Sequence, residues 1–580
     1  MPRPRIRPVL SRLAAVLLFA TLATSAWAQE ADDADQPDVP DAPASVVMAL
    51  PAQPLTPQIV YQLLLSEIAG ARGQMDLASQ GYLDLARKTR DPRVAKRATE
   101  VALFARRAPE AVEASRLWAE LDPGSTEALQ TLAGLLAGGM GGLSELEAPL
   151  ARLLAKSDKP QQSLLGLNRT LARYPDKAEV RKTIDRLSEP YLQYPEAHYA
   201  RAYAAYAAGD SVAAQAEADK ALAGRKDWEV AALLKVQLLQ QKGQTAEALS
   251  FLKGFLAASP NARDARYAYA RLLAVDRQYP ASRAEFERLV KELPDNGEVG
   301  YTYALLLEQM DEYAAAETQF KRLLPLDSPG ADAINMQLGQ LYEEQKRWPD
   351  ASAVYRAVTG PQKPLAQSRA ALIQARGGDL SGARANLQRL REAEPKQAST
   401  YLLAEGQLLR ELGKNEEAFA LLGSSLASQP DQVDVLYDYS LLAEKLGKID
   451  VMEKSLRRLI ELRPDEAQAY NALGYSLADR NQRLDEAQGL IKKALTLSPD
   501  DGFILDSMGW VLFRRGDLNG ALDHLQRAYA ARPDPEIAAH LGEVQWKLGR
   551  KDEAHKTWSD AAKAHPDNTT LAEVMKRFEQ

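Results

Sequence analysis

NALGYSLADRNQRLDEAQGLIKKALTLSPD (471–500), DSMGWVLFRRGDLNGALDHLQRAYAARPD (506–534) and AAHLGEVQWKLGRKDEAHKTWSDAAKAHPD (538–567) are one pattern written three times. Gly474, Gly509 and Gly542 share one position, Ala487, Ala521 and Ala554 a second, and Ala494, Ala528 and Ala561 a third. Small residues at fixed places are what two antiparallel helices need where they cross closely. Leu473, Met508 and Leu541, then Leu490, Leu525 and Trp558, are expected to fill the space between them. Proline follows each second helix because it lacks an N–H and clashes with the preceding turn, so the helix stops there.

The prolines extend this pattern backwards. Pro260, Pro294, Pro329, Pro361, Pro395, Pro430, Pro464, Pro499, Pro533 and Pro566 are spaced by 32 to 35 residues. A period near 34 is that of a helix–turn–helix unit stacked into a solenoid. The pattern resembles the tetratricopeptide consensus. The fold class expected is therefore all-α, a tetratricopeptide-repeat solenoid, a right-handed superhelix of antiparallel helix pairs. The regular array is expected over 191–567, with a capping helix at 568–580. Residues 55–190 read as degenerate helical repeats, and the run Gly138-Gly139-Met140-Gly141-Gly142 as a turn between helices.

The first 28 residues have the form of a signal peptide. Arg3, Arg5, Arg7 and Arg12 precede an apolar run from Leu13 to Ala23, and Ala26-Trp27-Ala28 offers cleavage after Ala28. The apolar run is shorter than the ~20 residues that span a bilayer. A periplasmic location with no membrane span follows as the expectation; retention of the signal as a tether is the competing one. Loss of those four arginines moves the net charge from −7 to −11, which disfavours nucleic acid and anionic membrane as partners. Residues 29–54 hold six acids and no base, an acidic linker that cannot build a core.

Signs of chemistry are few. There is no cysteine, so no thiol nucleophile, thiolate metal site or lipid anchor is expected. His198, His524, His540, His555 and His565 show no metal-ligand spacing, and no Walker, dinucleotide or nucleophile-elbow motif occurs. A non-catalytic protein with no cofactor and no metal is expected. The surface available for binding is the face lined by the first helix of each pair. Tyr199, Tyr267, Tyr301 and Tyr437 fall on one repeat position there, and Asn471, Tyr475, Asp506, Trp510, Phe513 and Arg514 add further groove candidates. Aromatic anchors among polar neighbours are the stuff of binding hot spots. The alternative, tyrosines packed on the next repeat with only hydroxyls reaching the groove, stays open. Tyr269, Tyr303 and Tyr439, two positions on, should be core.

Two blocks carry a narrower resemblance: 55–107, beginning LTPQIVYQLLLSEIAGAR, and 506–550. They resemble the proteobacterial outer-membrane tetratricopeptide lipoproteins of the LbcA-like type. That resemblance implies an adaptor for a periplasmic carboxyl-terminal processing protease, delivering peptidoglycan hydrolases for degradation. The chain departs from it at Gln29, where a lipoprotein would carry the lipidated cysteine. The other setting for such solenoids is a scaffold for envelope polysaccharide export or outer-membrane assembly. An adaptor needs two surfaces, so the N-terminal block 55–123 and the C-terminal groove are expected to take different proteins.

Overall fold

The computed structural model describes residues 54–326, 330–566 and 568–578. The expected signal peptide, almost all of the acidic linker, and Pro329 lie outside the described residues. Within them there are 31 α-helices and no strand. The chain divides into two compact units, residues 1–319 and 320–580. Each is a stack of antiparallel helix pairs.

The pairs form because the turn chemistry recurs. In the pair Gly502–Arg514 and Leu518–Ala531, Gly516 takes φ 88°, the left-handed conformation that glycine adopts without strain. Its N–H bonds to Phe513 O at 3.0 Å, and that of Asp517 to Leu512 O at 2.9 Å, closing the first helix. Asp517 then accepts the N–H of Gly520 at 2.9 Å and caps the second. Arg277, Asp311 and Lys346 sit left-handed at the equivalent turns, with φ between 59° and 61°. The glycine position is thus kept in shape where the residue type has drifted.

The prolines act one residue ahead of themselves. Leu293, Gln429, Arg463, Ser498, Arg532 and His565 each precede a ruler proline, and each cap leaves the helix with ψ between 65° and 100°. Those values lie outside the α region that proline disfavours for its predecessor, although Arg225, which precedes Lys226, leaves its helix in the same way at ψ 92°.

Between paired helices the small residues do what their type requires. A Cβ on Gly509 would stand 2.5 Å from Leu525 Cγ and 3.1 Å from Ala521 O. Gly509→Ala should therefore cost stability although alanine is the better helix former. Overpacking of ~1–3 kcal/mol outweighs a propensity gain of ~1 kcal/mol. Chemical denaturation followed by circular dichroism should show a less stable C-terminal segment; an unchanged midpoint would refute the close-crossing account. One expected packing residue is corrected. The partner of Gly474 is Ile491, fully buried, whereas Leu490 is only half-buried. The spacing from Ala487 to Ile491 equals that from Ala521 to Leu525 and from Ala554 to Trp558.

Upstream of residue 191 the helices still pair, from Pro57–Ala71 with Met75–Thr89 to Pro160–Leu171 with Lys177–Ser188. A continuous apolar core runs from Tyr82 to Ala204. The glycine run ends a helix as a π turn over Leu136–Met140, with Gly139 at φ 94°. Tyr174 fastens it, its hydroxyl donating to Leu136 O at 3.0 Å and to Gly141 O at 3.3 Å. At the other end Thr569–Phe578 lies on the last pair, with Leu571 buried and Phe578 stacked on Trp558.

Candidate binding groove

A stack bends toward whichever helices touch their counterparts in the next pair. In the first unit Pro195–Ala207 touches Glu229–Gln241, which touches Arg263–Val275. In the second unit Lys363–Arg376, Ala398–Glu411 and Val433–Lys445 form one such series, and Ala467–Asp479, Gly502–Arg514 and Pro535–Lys547 another. These are all first helices, so their outward positions line the concave side. Upstream the contacts change: the second helices Met75–Thr89 and Ala108–Leu121 touch, as do Leu143–Lys156 and Lys177–Ser188. The N-terminal pairs therefore present a different surface.

In the first unit, Tyr199, Tyr267 and Tyr301 are all half-buried. Tyr199 packs its ring 5.0 Å from Trp228, and burial pushes its phenol up to about 12. Tyr267 is tied to the next first helix: its hydroxyl bonds Thr302 Oγ1 at 2.8 Å and donates to Glu298 Oε1 at 3.1 Å. Arg271 lies 5.5 Å over its ring. Burial raises the Tyr267 and Tyr301 phenols as well. Tyr267 is thus a clamp between repeats, which is the packing role that such tyrosines could have from sequence. Tyr437, in the second unit, is half-buried against the core, and burial raises its phenol. Of the three tyrosines expected in the core, Tyr303 is buried, while Tyr269 and Tyr439 are only half-buried, the latter stacked on Phe419. Both pack against the core from its edge.

The C-terminal candidates do converge. Asp506 and Trp510 are buried, at 6% and 7% exposure, and they meet His540 of the next first helix. His540 Nδ1 stands 3.0 and 3.1 Å from the Asp506 carboxylate oxygens, and its ring stacks on Trp510 at 4.1 Å. Trp510 Nε1 donates to Asp479 Oδ1 at 3.3 Å, Phe513 stacks at 5.1 Å, and Arg514 lies over the indole at 5.2 Å. Tyr475 closes the cluster 6.3 Å from the imidazole. Asp506 and Trp510 therefore form the wall, and the half-exposed Tyr475, Phe513 and Arg514 meet solvent. Asn471 shares the helix of Tyr475, its Oδ1 buried without a hydrogen bond among the described residues.

His540 was not singled out from sequence, although it follows Asp506 by 34 residues, one repeat. A second group was missed too. Tyr203 and Tyr206 continue from Tyr199 up the same helix, with ring centroids 6.5 Å and then 6.2 Å apart. Their spacing of four and seven residues from Tyr199 was the available signal. Gln237 and Gln241 on the next first helix donate to the Tyr206 hydroxyl at 2.6 and 3.3 Å. Away from the groove, a cleft of about 600 Å³ is lined by Arg181, Asp185, Arg186, Glu189, Arg201 and Glu217, whose opposite charges largely pair among themselves and their neighbours. No group of three or more His, Cys, Asp or Glu among the described residues is placed to hold a metal.

Two family models described as tetratricopeptide repeat match the chain, one at residues 239–296 and 512–577, the other at 301–366 and 437–502. A TPR repeat-containing protein of Pseudomonas aeruginosa is 36% identical over 487 residues, covering 83% of this chain and 82% of that protein. Protein FlbA of Caulobacter vibrioides is 28% identical over 133 residues, 22% of each. Among solved structures, the APC/C hetero-tetramer Cut9–Hcn1 aligns over 90% of this chain and 96% of that one, at 14% identity and a TM-score of 0.32. A tetratricopeptide repeat protein from Parabacteroides merdae aligns over 42% of this chain and 98% of its own, at 17% identity and a TM-score of 0.34.

Proposed function

Because the chain belongs to the tetratricopeptide-repeat family, we propose that it is a non-catalytic, periplasmic adaptor that brings cell-wall hydrolases to a carboxyl-terminal processing protease. One observation carries the reading: the first helices present two chemically different surfaces. The stretch around Tyr199, Tyr203, Tyr206 and Gln237 is built from aromatic rings and amides, and the cations of its two first helices, Arg201 and Lys235, are paired with Glu189 and Asp219. The stretch around Tyr475, Phe513, Arg514 and Asp479 is aromatic and ionic. An adaptor has to hold an enzyme and its substrate at once, and unlike surfaces keep the two from competing. The likeness of blocks 55–107 and 506–550 to the LbcA-like adaptors points the same way.

Location in the periplasm rests on the basic, then apolar, then small-residue order of residues 3–28. Among the described residues no helix is long and apolar enough to cross a membrane.

Crosslinking and affinity capture of the tagged chain from periplasm should bring down a serine-type processing protease together with a peptidoglycan hydrolase. The purified chain should speed cleavage of that hydrolase while cleaving nothing alone. Capture of an envelope secretion or assembly complex instead would favour the export-scaffold reading. Tyr475→Ala with Phe513→Ala should weaken the partner held at the C-terminal groove at least tenfold, as loss of a hot-spot pair does. Unchanged affinity by titration calorimetry would remove this patch from the site.

A further inference from the structure

We infer that Pro57–Ala71 is a self-pairing helix, through whose outward apolar seam two copies of the chain join antiparallel as a dimer. The helix is built inside out. Its inward side is small and polar: Ser66 and Ala69 are buried, Gln62 donates to Gly81 O at 3.4 Å, and Glu67 accepts the Tyr82 hydroxyl. All of these meet Met75–Thr89, the helix it packs on. The outward side instead holds Tyr61, Leu64 and Ile68, at 67%, 54% and 49% exposure. A helix at the surface of a soluble protein turns its apolar stripe to the core and its polar face to water. This one does the reverse, so its outward face needs a cover.

The seam has a register. Pro57, Tyr61, Leu64, Ile68 and Ala71 follow one another in alternating steps of four and three residues, the a/d spacing of a coiled coil. Laid antiparallel about the level of Ser66, Leu64 meets Ile68 of the second copy and Tyr61 meets Ala71. The largest side chain of the seam then faces the smallest, which is how layers interdigitate without voids. With Leu55, Val60 and Leu65 beside it, the seam exposes roughly 600 Å² of mostly apolar surface, as much as the largest patch of a typical monomer. Two copies together hide about 1,200 Å², which clears the ~1,000 Å² expected of a specific interface.

The chemistry selects a second copy over other occupants. Helices that lie on a lipid surface carry Lys or Arg on their polar face, and residues 55–71 contain neither. Coiled coils choose a foreign partner through charges flanking the seam. Here Val60 and Leu65 flank it, and the one carboxylate of 55–71, Glu67, is held by Tyr82. A seam without a charge code is complementary to itself, as a two-fold interface requires. Pairing carries every groove surface twice, so a partner that is itself multimeric would be held by avidity with no new contact.

Sedimentation equilibrium of the full chain at micromolar concentration should return twice the chain mass. Leu64→Glu with Ile68→Glu should weaken the pair by roughly a hundredfold or more, because each carboxylate would enter an apolar seam. Both side chains are exposed in the single chain, so the circular-dichroism spectrum should stay as it is. The absence of cysteine lets the register be read directly. Tyr61→Cys with Ala71→Cys should oxidise to a two-chain species, because the two sites lie ~15 Å apart along one helix and cannot bridge within it. Neither single variant should crosslink. A single-chain mass up to about 100 µM overturns the inference, and so does crosslinking by either single variant, which would mean a parallel or shifted pair. A single-chain mass with flotation on phosphatidylethanolamine–phosphatidylglycerol vesicles would give the face to lipid. A single-chain mass with protease capture lost in Leu64→Glu with Ile68→Glu would give it to that partner. Each of these also overturns the inference, whereas a dimer that captures neither protease nor hydrolase sinks the adaptor reading alone.

Discussion

Trp558→Ala should unfold the last repeat and leave the rest of the array standing. The indole is fully buried, packed between Trp546 at 6.1 Å and Phe578 at 5.5 Å, with Nε1–H donating to Ala539 O at 3.3 Å. Removing a side chain of this size from a core costs ~3–5 kcal/mol. In a linear array each pair is held only by its neighbours, so the loss falls on the segment from Pro535 to Phe578. Hydrogen exchange should show those amides unprotected while helices upstream of about residue 500 exchange as before. Global unfolding, or no local change, would contradict the nearest-neighbour picture. The same site offers a coupling test. A Cβ on Gly542 would overlap the Trp558 indole, so Gly542→Ala should be strongly destabilising alone. In the Trp558→Ala background it should be nearly neutral or stabilising, because the cavity accepts the methyl. A double-mutant cycle with no coupling would mean the two residues do not share that space.

The repeat period was legible because each consensus residue does one local job. Proline constrains its own predecessor, and a glycine or alanine sets one crossing distance; both operate within a single pair. The groove was legible only in part, because its chemistry depends on side chains from successive pairs. Tyr267 illustrates the limit: its position places it on the groove face, yet Thr302 and Glu298 of the next repeat decide that its hydroxyl is tied down. Leu490 and Ile491 are adjacent and both apolar, so only the helix phase tells which faces Gly474. The row Tyr199, Tyr203 and Tyr206 could have been read at helical spacing, but two of its members lie off the 34-residue beat that Tyr199 keeps. A ruler tuned to the repeat misses ladders that climb within one helix.

Stability of the C-terminal groove should fall as pH rises above about 6.5, and the His540–Asp506 pair is the reason. Burial alone would disfavour the imidazolium, but the carboxylates of Asp506, Glu543 and Asp479 outweigh it, and His540 is held protonated above its ordinary range. Arg514 lies over the Trp510 indole and 4.0 Å from Asp479, and Arg577 pairs with Glu543, so Asp506 is the carboxylate that bonds His540 directly. A histidine raised on folding contributes stability that is fully present below its unfolded value of ~6.5 and is lost as pH climbs through the folded value. The loss should therefore begin above pH 6.5 and level off once His540 is neutral, at ~1.4 kcal/mol for each unit of elevation. Asp506→Ala tests the pair from the other side. Leaving one buried partner uncompensated costs ~3–5 kcal/mol, with the larger penalty at low pH, where the imidazole would otherwise be charged. At high pH His540 escapes part of that cost by releasing its proton. The variant should therefore lie furthest below the parent near pH 6 and draw closer near pH 8, so the two pH profiles converge. Because the pair joins Gly502–Arg514 to Pro535–Lys547 behind Trp510, the same pH rise should loosen the wall against which Tyr475 and Phe513 are presented. Partner affinity at the C-terminal groove should then follow stability downward in the parent and stay flat with pH in Asp506→Asn. Parallel profiles for parent and Asp506→Asn would show that the pair does not govern the groove.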